Sequence, residues 1–154
     1  MAFSMLVDNP GKDYMSHSIG VGIILNKHGH VLIAQRLPRD SLGDLWEFPG
    51  GKQVPGETIE ECIARELREE VGLEVKVGKQ LISLDHTYGY RQLSFSVHLC
   101  NHIGGEAKPL VSQQVRWVKV GSLLLYPFPA ASIHMINALH IYLKSNKEGS
   151  NKFT

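Results

Sequence analysis

The chain has 154 residues, of which 43% are hydrophobic and 20% charged, and its 16 Lys and Arg against 15 Asp and Glu give a formal net charge of +1. This composition indicates one globular domain, and the near-neutral charge argues against nucleic-acid binding as its main function. There is no long apolar run, no secretory signal and no disulfide framework. We therefore expect a cytoplasmic protein with no membrane partner and no stable nucleic-acid partner.

The first third of the chain predicts a β-hairpin preceded by a tail. Residues 1–17 are polar and are expected to form a flexible N-terminal tail. Strands are predicted at residues 19–25 and 30–35, where β-branched and apolar residues flank a short turn that contains glycine. A short extended piece at residues 46–48 then leads into the sequence Pro49-Gly50-Gly51.

One helix is predicted from Ile59 to Val71, because start and stop signals bracket this segment. Thr58 and Glu61 form a capping box at its beginning. Gly72 is suited to the left-handed conformation that commonly follows the last turn of a helix.

The second half of the chain predicts three further strands, at residues 74–85, 93–101 and 115–120. A short helical turn at 123–126 and a second long helix at 130–143 follow. The apolar positions available for a buried stripe on this last helix are Ile133, Ile136, Ala138 and Ile141.

A single folded domain is expected over residues 18–144, with a flexible C-terminal tail at 145–154. Strands interspersed with helices and hairpins predict the α/β class, with a mixed sheet and helices on its faces.

The predicted helix at 59–71 carries acidic residues on its inward side. Its apolar stripe consists of Ile59, Cys62, Ile63, Leu67 and Val71. Glu66 and Glu70 fall within this stripe and Glu69 at its edge, so three carboxylates converge and repel one another. A hard divalent cation, Mg²⁺ or Mn²⁺, would offset that repulsion. Alternatively, Arg65 or Arg68 pairs these acids on a merely charged helix.

Residues 51–73 read GKQVPGETIEECIARELREEVGL. They fit every specified position of the Nudix signature, which is Gly, five residues, Glu, seven residues, Arg-Glu, an apolar residue, any residue, Glu-Glu, any residue, Gly and an apolar residue. The chain thus resembles the Nudix family, and segments 45–51 and 126–129 resemble its MutT-like branch. The likeness covers roughly residues 18–143.

The resemblance implies a fold and a reaction. The fold would be the Nudix fold, an α/β/α sandwich around a mixed β-sheet. The reaction would be Mg²⁺-dependent hydrolysis of a (deoxy)nucleoside triphosphate to a monophosphate and pyrophosphate. Its specific version would be sanitation of oxidised dGTP, which serves DNA repair, with a small-molecule nucleotide as the partner.

The resemblance also implies roles for individual residues. The expected metal ligands are the backbone carbonyl of Gly50 and the catalytic carboxylates Glu66, Glu69 and Glu70. Residues expected to support the site are Gly51, Glu57 and Arg65. The substrate contacts expected from the resemblance are Arg36 and the position of Ser132. Phe48 is a further candidate for the substrate pocket, because it lies two residues before Gly50.

Two departures from the family pattern keep alternatives open. The loop at 109–115 lacks the acid usual there; Gln113 and Gln114 cannot act as bases, and the nearest acid is Glu106. Ser132 stands where guanine-reading members have Asn. One alternative is a pyrimidine nucleoside triphosphate, or another nucleoside-diphosphate-linked substrate, with the same chemistry. Another is a catalytically weak, nucleotide-binding reader domain. The sequence leaves open whether the protein is a monomer or a homodimer.

Overall fold

The computed structural model describes residues 15–151, which form a sheet of seven strands with helices on both faces. The strands are β1 (Met15–Leu25), β2 (His30–Gln35), β3 (Trp46–Glu47), β4 (Gly50–Lys52), β5 (Glu74–Tyr88), β6 (Arg91–Gly104) and β7 (Gln114–Lys119). The helices are α1 (Ile59–Val71) and α2 (Ala130–Asn151), and a 3₁₀ helix spans Val120–Leu125.

Strand β1 is the centre of the sheet. It pairs in parallel with β6 along its whole length, and on its other side it pairs antiparallel with β2 and, further along, with β4. Strand β5 lies antiparallel to β6, while β3 and β7 both pair with β2. Parallel and antiparallel pairing occur together, so the predicted mixed sheet of an α/β fold is confirmed.

Two apolar clusters cover the two faces of the sheet. Ile23 of β1 lies in one cluster with Ile136 of α2. Ile24, the next residue, lies in the other cluster with Ile63 and Leu67 of α1. Because successive side chains of a strand point to opposite faces, β1 supplies both cores at once, and the helices enclose the sheet in an α/β/α sandwich.

Two glycines of β1 allow α1 to lie directly against the sheet. A Cβ atom added at Gly20 would lie 2.8 Å from Cγ1 of Ile63, and one added at Gly22 would lie 2.8 Å from Cδ2 of Leu67. Both distances are shorter than ordinary carbon contacts. The absence of side chains at these two positions therefore sets how closely the helix approaches the strand.

The predicted helix from Ile59 to Val71 is confirmed at both ends. The Thr58 side chain accepts a hydrogen bond of 3.1 Å from the backbone N–H of Glu61, as the capping box requires. Gly72 adopts φ 72°, the left-handed conformation in which glycine avoids steric strain.

The predicted N-terminal tail at residues 1–17 ends too late. Strand β1 already begins at Met15, where it pairs with Arg91 of β6. Pairing with β6, which is distant in sequence, lengthens β1 at its N-terminal end. The residues added there are mostly polar, so their composition alone did not indicate a strand. The rest of the predicted tail lies outside the described residues.

The predicted C-terminal tail at residues 145–154 begins too early. Helix α2 continues beyond residue 143 to Asn151. Polar residues follow position 143 without a proline, and the first glycine is Gly149, so no stop signal ends the helix there. The last three residues lie outside the described part of the chain.

The buried face of α2 also differs from the predicted one. Its buried residues are Ala131, Ser132, Met135, Ile136 and Leu139. Ile133 and Ile141 are 38% and 68% exposed instead. Apolar residues lie all around this helix, so their spacing does not select a face. None of the described helices is long and apolar enough to cross a membrane.

Candidate functional site

The inward carboxylates of α1 lie where the helical periodicity predicts them. Glu66 is fully buried and Glu70 is 4% exposed, next to apolar residues of the same helix. The side chain of Glu69 is 54% exposed, at the edge of the buried face. Buried carboxylates are costly unless a cation or hydrogen-bond donors compensate them, so this arrangement indicates a site rather than a packing surface.

Arg65 holds this cluster together through a branched set of hydrogen bonds. Its Nη1 donates to Oε1 of Glu66 at 2.9 Å and to Oε2 of Glu69 at 3.2 Å. Its Nε and Nη2 donate to the two carboxylate oxygens of Glu57 at 2.9 and 2.7 Å. The hydrogen bonds from Arg65 lower the pKa of Glu57 to about 2. Arg65 therefore links the loop before α1 to the carboxylates on the helix.

The glycine-rich strand β4 lies beside the carboxylates because it can approach β1 closely. A Cβ atom at Gly50 would collide with a backbone carbonyl oxygen of β1. The thiol of Cys62 lies 3.5 Å from the carbonyl oxygen of Gly51, and Nη2 of Arg65 donates to the carbonyl of Lys52 at 3.2 Å. Helix α1 thus contacts two consecutive carbonyls of β4.

Glu47 is a fourth carboxylate at this site, and the sequence interpretation did not single it out. It accepts a hydrogen bond of 2.8 Å from Nη1 of Arg36. Burial raises the pKa of Glu47, although the Arg36 guanidinium opposes that rise. Burial also raises the pKa of Glu70 well above its ordinary value, with further contributions from the charges of Glu47 and Glu66. Negative charge is therefore concentrated between α1 and β3.

A signal for Glu47 was present in the strand pattern. Trp46 and Phe48, on either side of it, are buried in the core on the α2 face. An acidic residue between two core residues, three positions before a glycine pair, lies on the opposite face of the strand and is a candidate for a site.

Arg36 lies behind Glu47. Its side chain is fully buried, and its Nε donates to the carbonyl oxygen of Ser41 at 2.7 Å. A narrow cleft, described below, lies next to these residues. Among the described residues, Glu47 lines this cleft and Arg36 does not. The structure thus shows Arg36 holding Glu47 and the following loop in place.

A narrow cleft adjoins the carboxylates on the α2 side of the sheet. Its walls include Glu47, Phe48, Tyr88 and Ser132, so two predicted substrate contacts, Phe48 and Ser132, lie in one place. The ring of Phe48 stacks on that of Phe128, with ring centres 5.3 Å apart. The cleft volume is about 20 Å³, which is room for one water molecule, so a larger group would require its walls to move apart.

The two glutamines of the loop at 109–115 serve to hold neighbouring segments. The side-chain amide of Gln113 donates to Oδ1 of Asp44 at 2.5 Å and to the carbonyl of Arg36 at 2.8 Å. Gln114 donates to Oε1 of Gln35 at 2.7 Å. Both side chains fix the loop against the end of β2.

The donor set suits a hard cation. Among residues 15–151, no group of three His, Cys, Asp or Glu side chains is already gathered as a metal site. Arg65 engages one oxygen of Glu66 and one of Glu69. Oxygen-only donors together with the mutual repulsion around Glu70 fit Mg²⁺ or Mn²⁺.

The nearest acid to the loop at 109–115 is Glu106. The backbone of Glu106 lies beside Gly72, at the C-terminal end of α1.

Comparisons with known proteins agree with this geometry. The family model described as NUDIX domain matches residues 20–138. The chain is 37% identical over 106 residues to an 8-oxo-dGTP diphosphatase of Proteus vulgaris, covering 69% of this chain and 91% of the relative. It is 31% identical over 118 residues to a CTP pyrophosphohydrolase of Escherichia coli (strain K12), and the match covers 77% of this chain and 87% of that relative. The solution structure of the E. coli ORF135 protein is similar to this fold, with a TM-score of 0.70 at 30% identity. The match covers 82% of this chain and 89% of that protein.

Proposed function

The chain belongs to the Nudix family of hydrolases, and on this basis we propose that it hydrolyses nucleoside triphosphates to monophosphates and pyrophosphate with Mg²⁺ as cofactor. One observation carries the proposal: the charge of Glu47 acts on Glu70 of the α1 carboxylates, and Glu47 also lines the cleft together with Phe48 and Ser132. A nucleotide with its base in the cleft would therefore place its phosphates at the carboxylates.

The residues that would hold Mg²⁺, or Mn²⁺, are Glu66, Glu69, Glu70 and the backbone carbonyl of Gly50. When bound, the metal supplies a Lewis acid for the phosphate oxygens and lowers the pKa of a water. Arg65 orients Glu66 and Glu69, and Glu57 fixes Arg65 in turn. The carboxylate of Glu69 is the most exposed of the three and is our candidate for the group that contacts the reacting water.

The cleft residues would select the base. Phe48 presents an aromatic ring for stacking, and the Ser132 hydroxyl offers one donor and one acceptor. We propose oxidised dGTP as the first candidate substrate, since several similar proteins are named 8-oxo-dGTP diphosphatase. A pyrimidine triphosphate is the second candidate, because Ser132 lacks the bidentate amide of an Asn and one similar protein is named CTP pyrophosphohydrolase.

The test is pyrophosphate release with Mg²⁺ across canonical and oxidised nucleoside triphosphates. Preference for 8-oxo-dGTP would support the sanitation role, and preference for CTP or dCTP would support the second candidate. A folded protein that binds these nucleotides without turnover would overturn the proposal in favour of a reader domain.

We place this activity in the cytoplasm of the cell. Cys62 and Cys100 are free and buried, which suits a reducing compartment. We expect a monomer or a homodimer, which sedimentation of the purified full chain distinguishes.

A further inference from the structure

A large open cavity lies at the end of the sheet away from the carboxylates. It is bounded by the β1–β2 turn, the end of β7 and the last turns of α2, and its volume is about 1050 Å³. Its ionisable lining residues are His28, His30, Lys119, His140, Lys144 and Lys147. We refer to it as the basic cavity.

The basic cavity is separate from the site on α1. Along β1, Gly50 pairs with Val21, whereas the cavity begins at Leu25. Four strand positions span roughly 13 Å. Along β2, His30 lines the cavity, and Arg36 follows the opposite end of the strand at the carboxylate site. The two regions therefore occupy opposite ends of the same strands.

The charged residues that line the basic cavity are all of one sign. Among the described residues that line it, none is acidic. Strands β1, β2 and β7, the 3₁₀ helix and α2 together contain a single acidic residue, Glu148. A concave surface with charges of one sign concentrates counter-ions, so this one attracts anions.

Helix stabilisation accounts for only part of this charge. Lys144 and Lys147 lie near the C-terminal end of α2, which is the end of the helix where positive charge is most favourable. Lys119 comes from β7, and His28 and His30 come from the β1–β2 hairpin, so no helix end explains them. Two separate elements, β7 and α2, thus supply lysine side chains to one concave surface, and the hairpin adds two imidazole rings.

The basic cavity also offers apolar and aromatic surface. Leu25, Val120 and Leu143 line it. The rings of His28 and His30 lie with centres 6.2 Å apart, and a ring nitrogen of His140 lies 3.3 Å from the carbonyl oxygen of Val120. A ligand that matches the whole surface carries several negative charges and a flat, largely apolar group.

We propose that the basic cavity is an accessory binding site for a nucleotide. The phosphates contact Lys119, Lys144 and Lys147, and the base lies against the apolar residues and imidazole rings. The cavity volume is sufficient, since small-molecule sites in proteins commonly measure about 300–1000 Å³. This site binds a nucleotide without the carboxylates of α1, so it stands apart from the hydrolytic reaction.

Calorimetric titration of the full chain with ATP in excess EDTA tests this proposal, because chelation removes divalent cations from the carboxylate site. We expect 1:1 binding that the double variant Lys119→Gln/Lys147→Gln weakens by about tenfold or more. The matched control, Lys76→Gln/Lys108→Gln, removes two exposed charges outside the cavity and leaves the dissociation constant unchanged. Equal affinities of wild type and the cavity variant would overturn the proposal, as would equal losses in both double variants.

Two further ligands test the class of molecule bound. Inorganic tripolyphosphate should bind more weakly than ATP, because it lacks the base; equal affinity would overturn the nucleotide assignment in favour of a phosphate site. A single-stranded oligonucleotide that binds more tightly than ATP and shows the same loss in Lys119→Gln/Lys147→Gln would assign the surface to nucleic acid instead. Hydrolysis in the presence of Mg²⁺ is measured separately, so failure of either proposal is recognised independently.

Discussion

Helices α1 and α2 pack on opposite faces of one sheet and bring different chemistry to the candidate site. Helix α1 buries Glu66 and Glu70 among its core residues. Helix α2 buries Met135, Leu139 and the hydroxyl residue Ser132, which lines the cleft. The residues that we propose for the reaction and those that we propose for the choice of substrate therefore lie on different faces of the sheet, and we expect that one set can change without the other.

The largest effect is expected from the α1 side. Glu69→Gln should lower kcat by about three orders of magnitude, by the same factor for every nucleotide hydrolysed, because the carboxylate acts on phosphates and not on bases. Steady-state assays with two different nucleotides measure this. The control Glu60→Gln removes a charge from the exposed first turn of α1 and should retain wild-type kcat. A stable Glu69→Gln protein with near wild-type turnover would contradict the assignment.

A smaller effect of a different kind is expected from the α2 side. Ser132→Asn should raise the ratio of kcat/KM for 8-oxo-dGTP to that for CTP by about tenfold, because an amide presents a donor and an acceptor side by side, whereas both belong to one oxygen atom in a hydroxyl. Competition assays with both nucleotides measure the ratio. Ser145→Asn, at an exposed position of the same helix, is the control. An equal change for both nucleotides would place Ser132 outside base selection.

The effect of Mg²⁺ on thermal stability should also differ between substitutions on α1 and substitutions on α2. Mg²⁺ at 100 times its dissociation constant stabilises the folded state by about 2.7 kcal/mol, so it should raise Tm by roughly 8 °C. Because burial raises the pKa of Glu70, holding this carboxyl in its ionised form is unfavourable in the metal-free fold. Glu70→Gln should therefore raise the metal-free Tm and abolish the response to Mg²⁺.

Melting curves at increasing Mg²⁺ concentrations measure this difference between variants. Ser132→Asn, on the other face, should retain the full response to Mg²⁺. A response retained by Glu70→Gln would show that the metal binds elsewhere.

The smallest effect concerns the hydrogen bonds between Glu57 and Arg65 on the α1 side. The folded-state pKa of Glu57 is about 2 against an ordinary 4.5, so its bonds with Arg65 stabilise the fold above pH 4.5 and are lost as pH falls toward 2. The difference in Tm between wild type and Glu57→Gln should thus shrink across this range. Thermal melts from pH 6 to 2 follow it. Glu74→Gln, which removes an exposed ion pair with Arg68, should change Tm less.

Local signals made α1 predictable from the sequence. The cap at Thr58, the left-handed Gly72 and the period of the apolar stripe lie within one short segment, and all three agree with the structure. The inward placement of Glu66 and Glu70 follows from the same period.

Features that depend on distant contacts were not predictable in this way. The amide of Gln113 bonds to the carbonyl of Arg36, 77 positions away in sequence, and no local pattern indicates that pairing. Glu47 is an intermediate case: its place between the core residues Trp46 and Phe48 is a local signal, but its electrostatic interaction with Glu70 depends on the fold. The face of α2 was misassigned for a different reason: its apolar residues surround the helix, and only the packed sheet selects Met135 over Ile133.

The parallel pairing of β1 with β6 has a consequence for how the protein is made. Met15 pairs with Arg91 and Leu25 with Asn101, so the central strand has no full-length neighbour until most of the chain has left the ribosome. Contacts of such long sequence separation slow folding, because a large loop must close before they form. A nascent chain that has not yet reached β6 therefore leaves apolar residues of β1 exposed. We expect the newly synthesised protein to depend on chaperones more than the folded protein does.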